Sequence, residues 1–185
     1  MAGTSSLAQT YIYRNVIVNN TGDGINITYV NAQLVRIENN TIAGNSSDGS
    51  DDTTGYGVPL LSIYNNIFDS NGGYGLNLPS SSRSPVMVNN AYRNNTSGER
   101  SSTVPAGEND ITLSADPFTD SASGDWSLNT TAGGGAELRS ISYPTAFPDG
   151  QTSTYLDIGA VQHADPVGGG GGLLTHPGMS GGMRG

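Results

Sequence analysis

Asparagine recurs along the first half of the chain at a nearly constant interval. One series has gaps of 25, 26 and 24 residues, and a second series repeats these gaps five positions later. The eight residues are Asn15, Asn40, Asn66, Asn90, Asn20, Asn45, Asn71 and Asn95. A fixed period in this range is typical of a solenoid, in which each repeat forms one coil and successive coils stack. The interval therefore predicts four stacked coils.

Apolar residues keep the same register as the asparagines. Those three positions before the first series are Ile12, Ile37, Ile63 and Met87, and those two positions after it are Ile17, Ile42, Phe68 and Tyr92. Within each repeat, apolar and polar residues alternate with a period of two, which indicates β-strands rather than helices. We expect three strands per coil, with the apolar series buried. The asparagines should stack at the turns and bond backbone groups that the strands leave unpaired.

The charge of the chain limits its partners. The formal net charge is −9, and all seven basic residues are arginines. This balance argues against nucleic acid as a partner, because phosphate backbones are bound by clusters of Lys and Arg. The chain has no cysteine for disulfides or thiolate metal sites, and no stretch approaches the apolar length of a membrane span.

The chain divides into four parts by composition. Residues 1–10 form an N-terminal lead, 11–98 the regular coils, 99–163 an irregular last coil with a cap over the bottom of the core, and 164–185 a Gly-rich tail. Because the lead leaves no room for a capping element, we expect an open strand edge at the first coil. Either an upstream part of a longer chain or another subunit would cover that edge.

The Gly-rich tail carries an apolar group after a run of five glycines. This group consists of Leu173, Leu174, His176, Pro177 and Met179. A free tail does not need apolar side chains, so we predict that the glycines tether a segment that docks onto a neighbouring subunit. A disordered end is the alternative.

The second coil departs from the repeat. From Asn45 to the next apolar cluster at Val58 there are thirteen residues, where the other coils have five. This spacing predicts an inserted loop that carries Asp48, Asp51 and Asp52. Their carboxylates are candidate ligands for Ca²⁺, and a solvated loop tip is the alternative.

The repeat at residues 37–45 and 63–71 resembles right-handed parallel β-helix proteins of the pectin-lyase-like type. The ending is similar to that of many bacterial and viral surface proteins of this kind, with an Asp-Pro-Phe step at 116–118, Asp-Trp-Ser-Leu at 125–128 and Asp-Ile-Gly-Ala at 157–160. The Ser-Pro-Ala-Ile-Asp step of such endings is missing from residues 133–148. The resemblance implies an all-β, right-handed parallel β-helix of about 24–26 residues per coil with an irregular C-terminal cap. That fold serves lyases, hydrolases, tailspikes, adhesins and structural proteins, so it implies no single activity.

Few residues suggest chemistry. Lyases of this fold need acids that bind Ca²⁺ and a basic residue, but Asp69 and Arg93 share a register position with no second acid in line, which predicts a surface ion pair. Tyr13 and Tyr64 share an outward register position. They are candidates for contact with a sugar or a protein, and ordinary surface is the alternative.

The sequence favours a non-catalytic structural module that assembles into a homo-oligomer or a larger particle. We expect such a module outside the cell, on a cell surface or in a virion, with no cofactor other than the candidate Ca²⁺. The alternatives are the C-terminal fragment of a polysaccharide lyase or hydrolase and a glycan-binding module.

Overall fold

The computed structural model describes residues 8–28, 32–53, 60–78, 85–143 and 156–163. Within these ranges the chain is built from β-strands, with two 3₁₀ turns, at Ser121–Ser123 and Gly135–Leu138. None of the described residues belongs to a helix that is long and apolar enough to cross a membrane.

Twelve strands make four coils of three strands each. The coils consist of β1 (Ala8–Tyr13), β2 (Val16–Val18) and β3 (Ile25–Ile27); β4 (Ala32–Glu38), β5 (Thr41–Ala43) and β6 (Ser50–Asp52); β7 (Leu60–Tyr64), β8 (Ile67–Asp69) and β9 (Tyr74–Asn77); β10 (Val86–Val88), β11 (Ala91–Arg93) and β12 (Gly98–Arg100). Corresponding strands pair in parallel and form three sheets. Their orders are β1-β4-β7-β10, β2-β5-β8-β11 and β3-β6-β9-β12, and the second sheet continues into β13 (Ile111–Thr112).

The predicted apolar register is confirmed. Ile37 pairs with Ile12 and Ile63, and Phe68 pairs with Ile42 and Tyr92. These side chains belong to one inner core that runs along the axis of the coils. Phe68 and Tyr92 are fully buried there and stack with their ring centroids 5.4 Å apart. The inner core thus follows directly from the two apolar series.

The acidic segment of the second coil is not an inserted loop, so that prediction was wrong. Asp51 and Asp52 lie in strand β6, and Ser50 pairs with Ile25 on one side and Leu76 on the other. The alignment failed because a buried serine occupies an inward position that is apolar in the neighbouring coils. Asn45 and Ser50 are five residues apart, as Asn20 and Ile25 are, so no insertion precedes β6.

Glycine is required immediately before the strands of the third sheet. A Cβ on Gly24 would lie 2.7 Å from the carbonyl oxygen of Gly49, and one on Gly49 would lie 2.5 Å from that of Gly75. Real side chains do not tolerate such approaches, so only glycine lets these coils stack closely.

Much of the C-terminal part packs against the outside of the coils, while Val104 lies in the inner core. It contains the antiparallel pair β14 (Phe118–Asp120) and β15 (Asp125–Leu128). Leu138 and Ile158 form a second core with the outward residue Ile67 of the middle sheet. Ala43, Ile67 and Ala91 are apolar outward residues of that sheet that this second core buries. Val104 joins the inner core and closes its lower end.

A row of turn asparagines holds this C-terminal part. Asn39, Asn65 and Asn89 have φ angles of 53°, 56° and 54°, a left-handed conformation that asparagine tolerates. The amide of Asn65 donates to the carbonyl of Tyr143 at 2.8 Å and accepts from its N–H at 2.7 Å. The amide of Asn89 donates to the carbonyl of Ile141, and that of Asn39 donates to the carbonyl of Asp157. Each coil from the second onward thus offers one amide to the outer segment.

Candidate functional site

The eight asparagines of the two series form two continuous ladders. Asn40 donates its backbone N–H and its Nδ2–H to Oδ1 of Asn66, at 2.9 and 3.0 Å. Asn66 repeats this pattern towards Asn90, at 3.1 and 3.0 Å. The second ladder makes equivalent bonds from Asn20 to Asn95. Because the inner asparagines are buried and their amides are used within the protein, they hold the turns and leave no group for a ligand.

The first ladder ends on a carboxylate. Asn90 donates its N–H and Nδ2–H to Oδ1 of Asp110, at 3.0 and 3.3 Å. The other oxygen of Asp110 accepts from the N–H of Gly107 and from Arg100. Sequence analysis missed this residue because the interval from Asn90 to Asp110 is 20 residues and an acid replaces the amide.

Two acids and one arginine meet on the outer face of the middle sheet. Arg93 Nε lies 2.5 Å from Oδ1 of Asp69, and Arg93 Nη2 lies 3.0 Å from Oδ2 of the same carboxylate. Asp116 approaches from the C-terminal part, with its Oδ2 3.4 Å from Nη2. The bonds with Asp69 raise the pKa of Arg93, which therefore stays protonated. The predicted pair exists, but Asp69 is only 4% exposed, so it is not a surface ion pair.

These three charged residues line a cleft of about 350 Å³ between the middle sheet and the β14–β15 pair. Its other lining residues are Asn19, Ala43, Gly44, Ser70, Ser121, Ala122 and Trp126. Trp126 is held by an edge-to-face contact with Phe118 at 4.9 Å. The cleft combines hydroxyls, an amide, charges and one aromatic side chain.

Sequence analysis did not find this cleft. Asp116 and Trp126 both lie in the steps used for the family resemblance, at 116–118 and 125–128. They come from outside the repeat, so register arithmetic could not place them beside Asp69. Their position depends on how the C-terminal part folds back onto the sheet.

A second polar group lies beside the third sheet. Asp23, Asp48 and Asp51 each offer a carboxylate oxygen, and these oxygens lie within 4.8 Å of one another. Asp48 is fixed by the N–H of Tyr74 and by Nδ2 of Asn77. Three carboxylates can hold a hard cation such as Ca²⁺.

The structure brings two of the three predicted calcium ligands together and replaces the third. Asp52 lies on the opposite side of β6, only 2% exposed, whereas Asp48 and Asp51 are joined by Asp23 from the first coil. Sequence analysis missed Asp23 because it placed Asp48 in an inserted loop. In the true register, Asp23 and Asp48 occupy equivalent turns of adjacent coils, since Gly24 N–H donates to the carbonyl of Asp48.

Comparison with known proteins agrees with this architecture. A family model described as right handed beta helix region matches residues 3–138. The chain belongs to the right-handed β-helix family. No curated protein and no solved structure matches it. Family membership therefore fixes the architecture of this β-helix, while its function has to be argued from its surfaces.

The two predicted tyrosines flank one position of the first sheet of the β-helix. Tyr13 pairs with Glu38, which pairs with Tyr64. Tyr13 is 37% exposed, whereas Tyr64 is half-buried and lies 5.7 Å from the ring of Tyr143. The two tyrosines therefore do not form one continuous aromatic surface. The tail residues Leu173, Leu174, His176, Pro177 and Met179 lie outside the described residues.

The carboxylates of Asp23, Asp48 and Asp51 should make the stability of the β-helix depend on pH. Burial, followed by repulsion from Asp23, Asp48 and Asp52, raises the pKa of Asp51 to about 6. The folded state thus binds this proton more tightly than the unfolded chain, so the stability it contributes is present below about pH 4 and lost as pH rises through 6. Asp51→Asn should therefore raise the melting temperature by about 3 °C at pH 8 and leave it nearly unchanged at pH 4.

Thermal melts at the two pH values test this expectation. Asp125→Asn is the control, because Ser127 lowers the pKa of that exposed carboxyl and its loss should give no gain at pH 8. An equal gain at both pH values for Asp51→Asn would contradict the assignment. Melts with added Ca²⁺ test the calcium prediction, since an ion at this group should stabilise the wild type more than Asp51→Asn.

Proposed function

We propose that this β-helix is a non-catalytic module that binds a neutral saccharide in the cleft at Asp69, Arg93 and Asp116. The observation that carries the proposal is the composition of that cleft, in which hydroxyl, amide and charged groups surround Trp126. Saccharides are recognised by polar groups that bond their hydroxyls and by aromatic rings that cover their apolar faces. The volume, about 350 Å³, falls at the small end of ligand sites, which suits one or two sugar units.

Charge favours a neutral ligand over an acidic one. The cleft contains two carboxylates and one guanidinium, and the guanidinium is already bound by both. An acidic sugar would meet a net negative site on a chain of net charge −9. The carboxylate of Asp116 can instead accept hydrogen bonds from sugar hydroxyls, and the hydroxyl of Ser121 can accept or donate them.

The same geometry argues against catalysis at this cleft. A hydrolase places two carboxyl groups on opposite sides of the bond that is cleaved. Here both carboxylates point at a single guanidinium. Arg93 cannot take up a proton, because its raised pKa keeps it charged. Both carboxylates of the cleft are paired with Arg93, which fits binding better than cleavage.

A cleft-filling variant tests the proposal. Ser121→Tyr should abolish binding of neutral hexasaccharides, such as those of glucose, mannose, xylose and N-acetylglucosamine, measured by isothermal titration calorimetry. Ser123→Tyr, on the same 3₁₀ turn but outside the cleft lining, is the matched control. Binding of oligogalacturonate in preference to every neutral sugar would contradict the proposal, as would binding that Ser121→Tyr leaves intact.

An assembly role is the second candidate, and the first coil favours it. Tyr11, Tyr13 and Val16 are 40%, 37% and 40% exposed on this coil. These residues lie in β1 and β2, and groups of exposed apolar residues are typical of interaction sites. A module with this role would belong to a cell surface or a virus-like particle, held to other subunits through its end and its tail.

Analytical ultracentrifugation tests the role of the tail in assembly. The full chain should sediment as a complex, and a chain that ends at residue 163 should sediment as a monomer while retaining its melting temperature within a few degrees. Identical sedimentation of the two chains would contradict docking by Leu173, Leu174 and Met179.

A further inference from the structure

The turn that follows the middle sheet is made in every coil by a residue in the left-handed conformation. Asn19, Gly44, Ser70 and Asn94 occupy this position in the four coils, with φ angles of 56°, 64°, 53° and 50°. They stack in a row, because the backbone N–H of each of the first three donates to a carbonyl of the next coil. The first three residues line the cleft, and Asn94 does not. This row therefore contributes three positions to the proposed binding site.

Glycine at position 44 is required neither by the turn nor by the stacking of the coils. Asparagine and serine adopt the same left-handed conformation at the other three positions of the row. Unlike a Cβ on Gly24 or Gly49, a Cβ on Gly44 would lie within 4 Å of no backbone atom of the described residues outside 43–45. It would instead lie 2.7 Å from Oδ1 of Asn19. The space that Gly44 leaves is thus occupied by the amide of Asn19.

The amide of Asn19 is available to a ligand. Within the described ranges, neither its oxygen nor its nitrogen makes a hydrogen bond, and the residue is exposed. Asn65, a left-handed asparagine in the other row of turns, shows which contacts such an amide makes. It donates to the carbonyl of Tyr143 and accepts from the N–H of the same residue. The Asn19 amide offers the same donor and acceptor, but at the cleft.

We infer that Asn19 is a specificity-determining residue of the cleft and that Gly44 is its positioning residue. The Asn19 amide binds two neighbouring hydroxyls of the sugar, since Nδ2 donates to one oxygen and Oδ1 accepts from the other. Gly44 acts only through Asn19, by leaving room for its amide over the second coil. The inference rests on the proposed saccharide function and adds a residue that selects among neutral sugars. A site built to bond a hydroxyl rejects a sugar that lacks it.

The variant Asn19→Gly removes the amide and keeps the turn, because glycine adopts the left-handed conformation without strain. It should weaken binding of the best neutral hexasaccharide about tenfold in isothermal titration calorimetry. It should also lower the ratio of Kd values between the second-best and the best sugar. Asn94→Gly is the matched control in the same row and should leave both quantities unchanged. Equal affinity of the wild type and Asn19→Gly would overturn the inference.

The variant Gly44→Ala tests the positioning role. Its methyl group displaces the Asn19 amide, so it should weaken binding by about the same factor of ten. The double variant with Asn19→Gly should bind no more weakly than either single variant, because both changes remove the same interaction. Losses that multiply in the double variant would show that position 44 acts on the ligand directly, which overturns the positioning role.

The same titrations distinguish failure of this inference from failure of the proposed function. If the wild type binds a neutral saccharide and Ser121→Tyr abolishes that binding, the function stands even where Asn19→Gly has no effect. If the wild type binds no neutral saccharide, the function fails and the inference fails with it. A hexapeptide of glycine and serine is a further probe, because Asn65 binds a peptide backbone. Binding of this peptide in place of every saccharide would contradict both.

Discussion

Replacing Phe68 with alanine should lower the free energy of unfolding by about 4 kcal/mol. Phe68 is 0% exposed, and its ring stacks on that of Tyr92. Removing it leaves a cavity on the axis of the coils, where neighbouring coils are fixed by the ladders and cannot close the space. The stacking with Tyr92 is lost as well. Urea denaturation, followed by circular dichroism, measures this change.

Val86→Ala is the control for this variant. Val86 also lies in a strand of the coils, but it is 54% exposed. Its truncation should cost less than about 1 kcal/mol. If the two variants lost equal stability, the inward phase assigned to these strands would be wrong, because a one-residue shift exchanges the two faces.

Asn66→Leu should destabilise the protein by about 3 kcal/mol, although leucine is more apolar and close in size. The Asn66 amide donates to the carbonyls of Ile37 and Tyr64 and to Asn90. It also accepts from the backbone and side chain of Asn40. Leucine would leave these groups buried without partners, and each unsatisfied buried group carries its full desolvation penalty.

Asn77→Leu is the matched comparison in the same coil. Asn77 is half-buried, lies outside both ladders and donates a part-buried hydrogen bond to Asp48. Its replacement should cost much less, because water can reach the groups that it leaves. Similar losses at Asn66 and Asn77 in urea titrations would show that the ladder contributes no special stability.

The coils could be predicted because every repeat must bury apolar side chains and satisfy the polar groups of its turns. Ile37, Ile63 and Phe68 must be buried, and Asn40 and Asn66 must satisfy the turns between strands, so the same residue types return at every coil. Periodicity reveals such constraints without any knowledge of the fold. The stacked coils of strands and the inward register followed from these positions, and the resemblance of the repeat implied the right-handed parallel β-helix.

Other features could not be predicted because they break the repeat. Ser50 occupies an inward position with a polar side chain, so the apolar pattern did not reveal strand β6. The position of Asp23 beside Asp48 and Asp51 was missed for the same reason. The cleft depends on Asp116 and Trp126, which reach the middle sheet only after the chain has folded back on itself. No periodic pattern encodes a contact between a repeat and a segment outside it.

Asp110 terminates the first ladder of hydrogen bonds. A side-chain amide both accepts and donates hydrogen bonds, whereas a carboxylate only accepts them. Gene duplication could therefore insert or remove whole 24–26-residue units between Asn15 and Asn90 and leave the terminus untouched. The length of the protein along its axis would be an evolutionary variable, set by the number of units that precede one acid, and the outer segment bound to Asn39, Asn65 and Asn89 would have to lengthen in step.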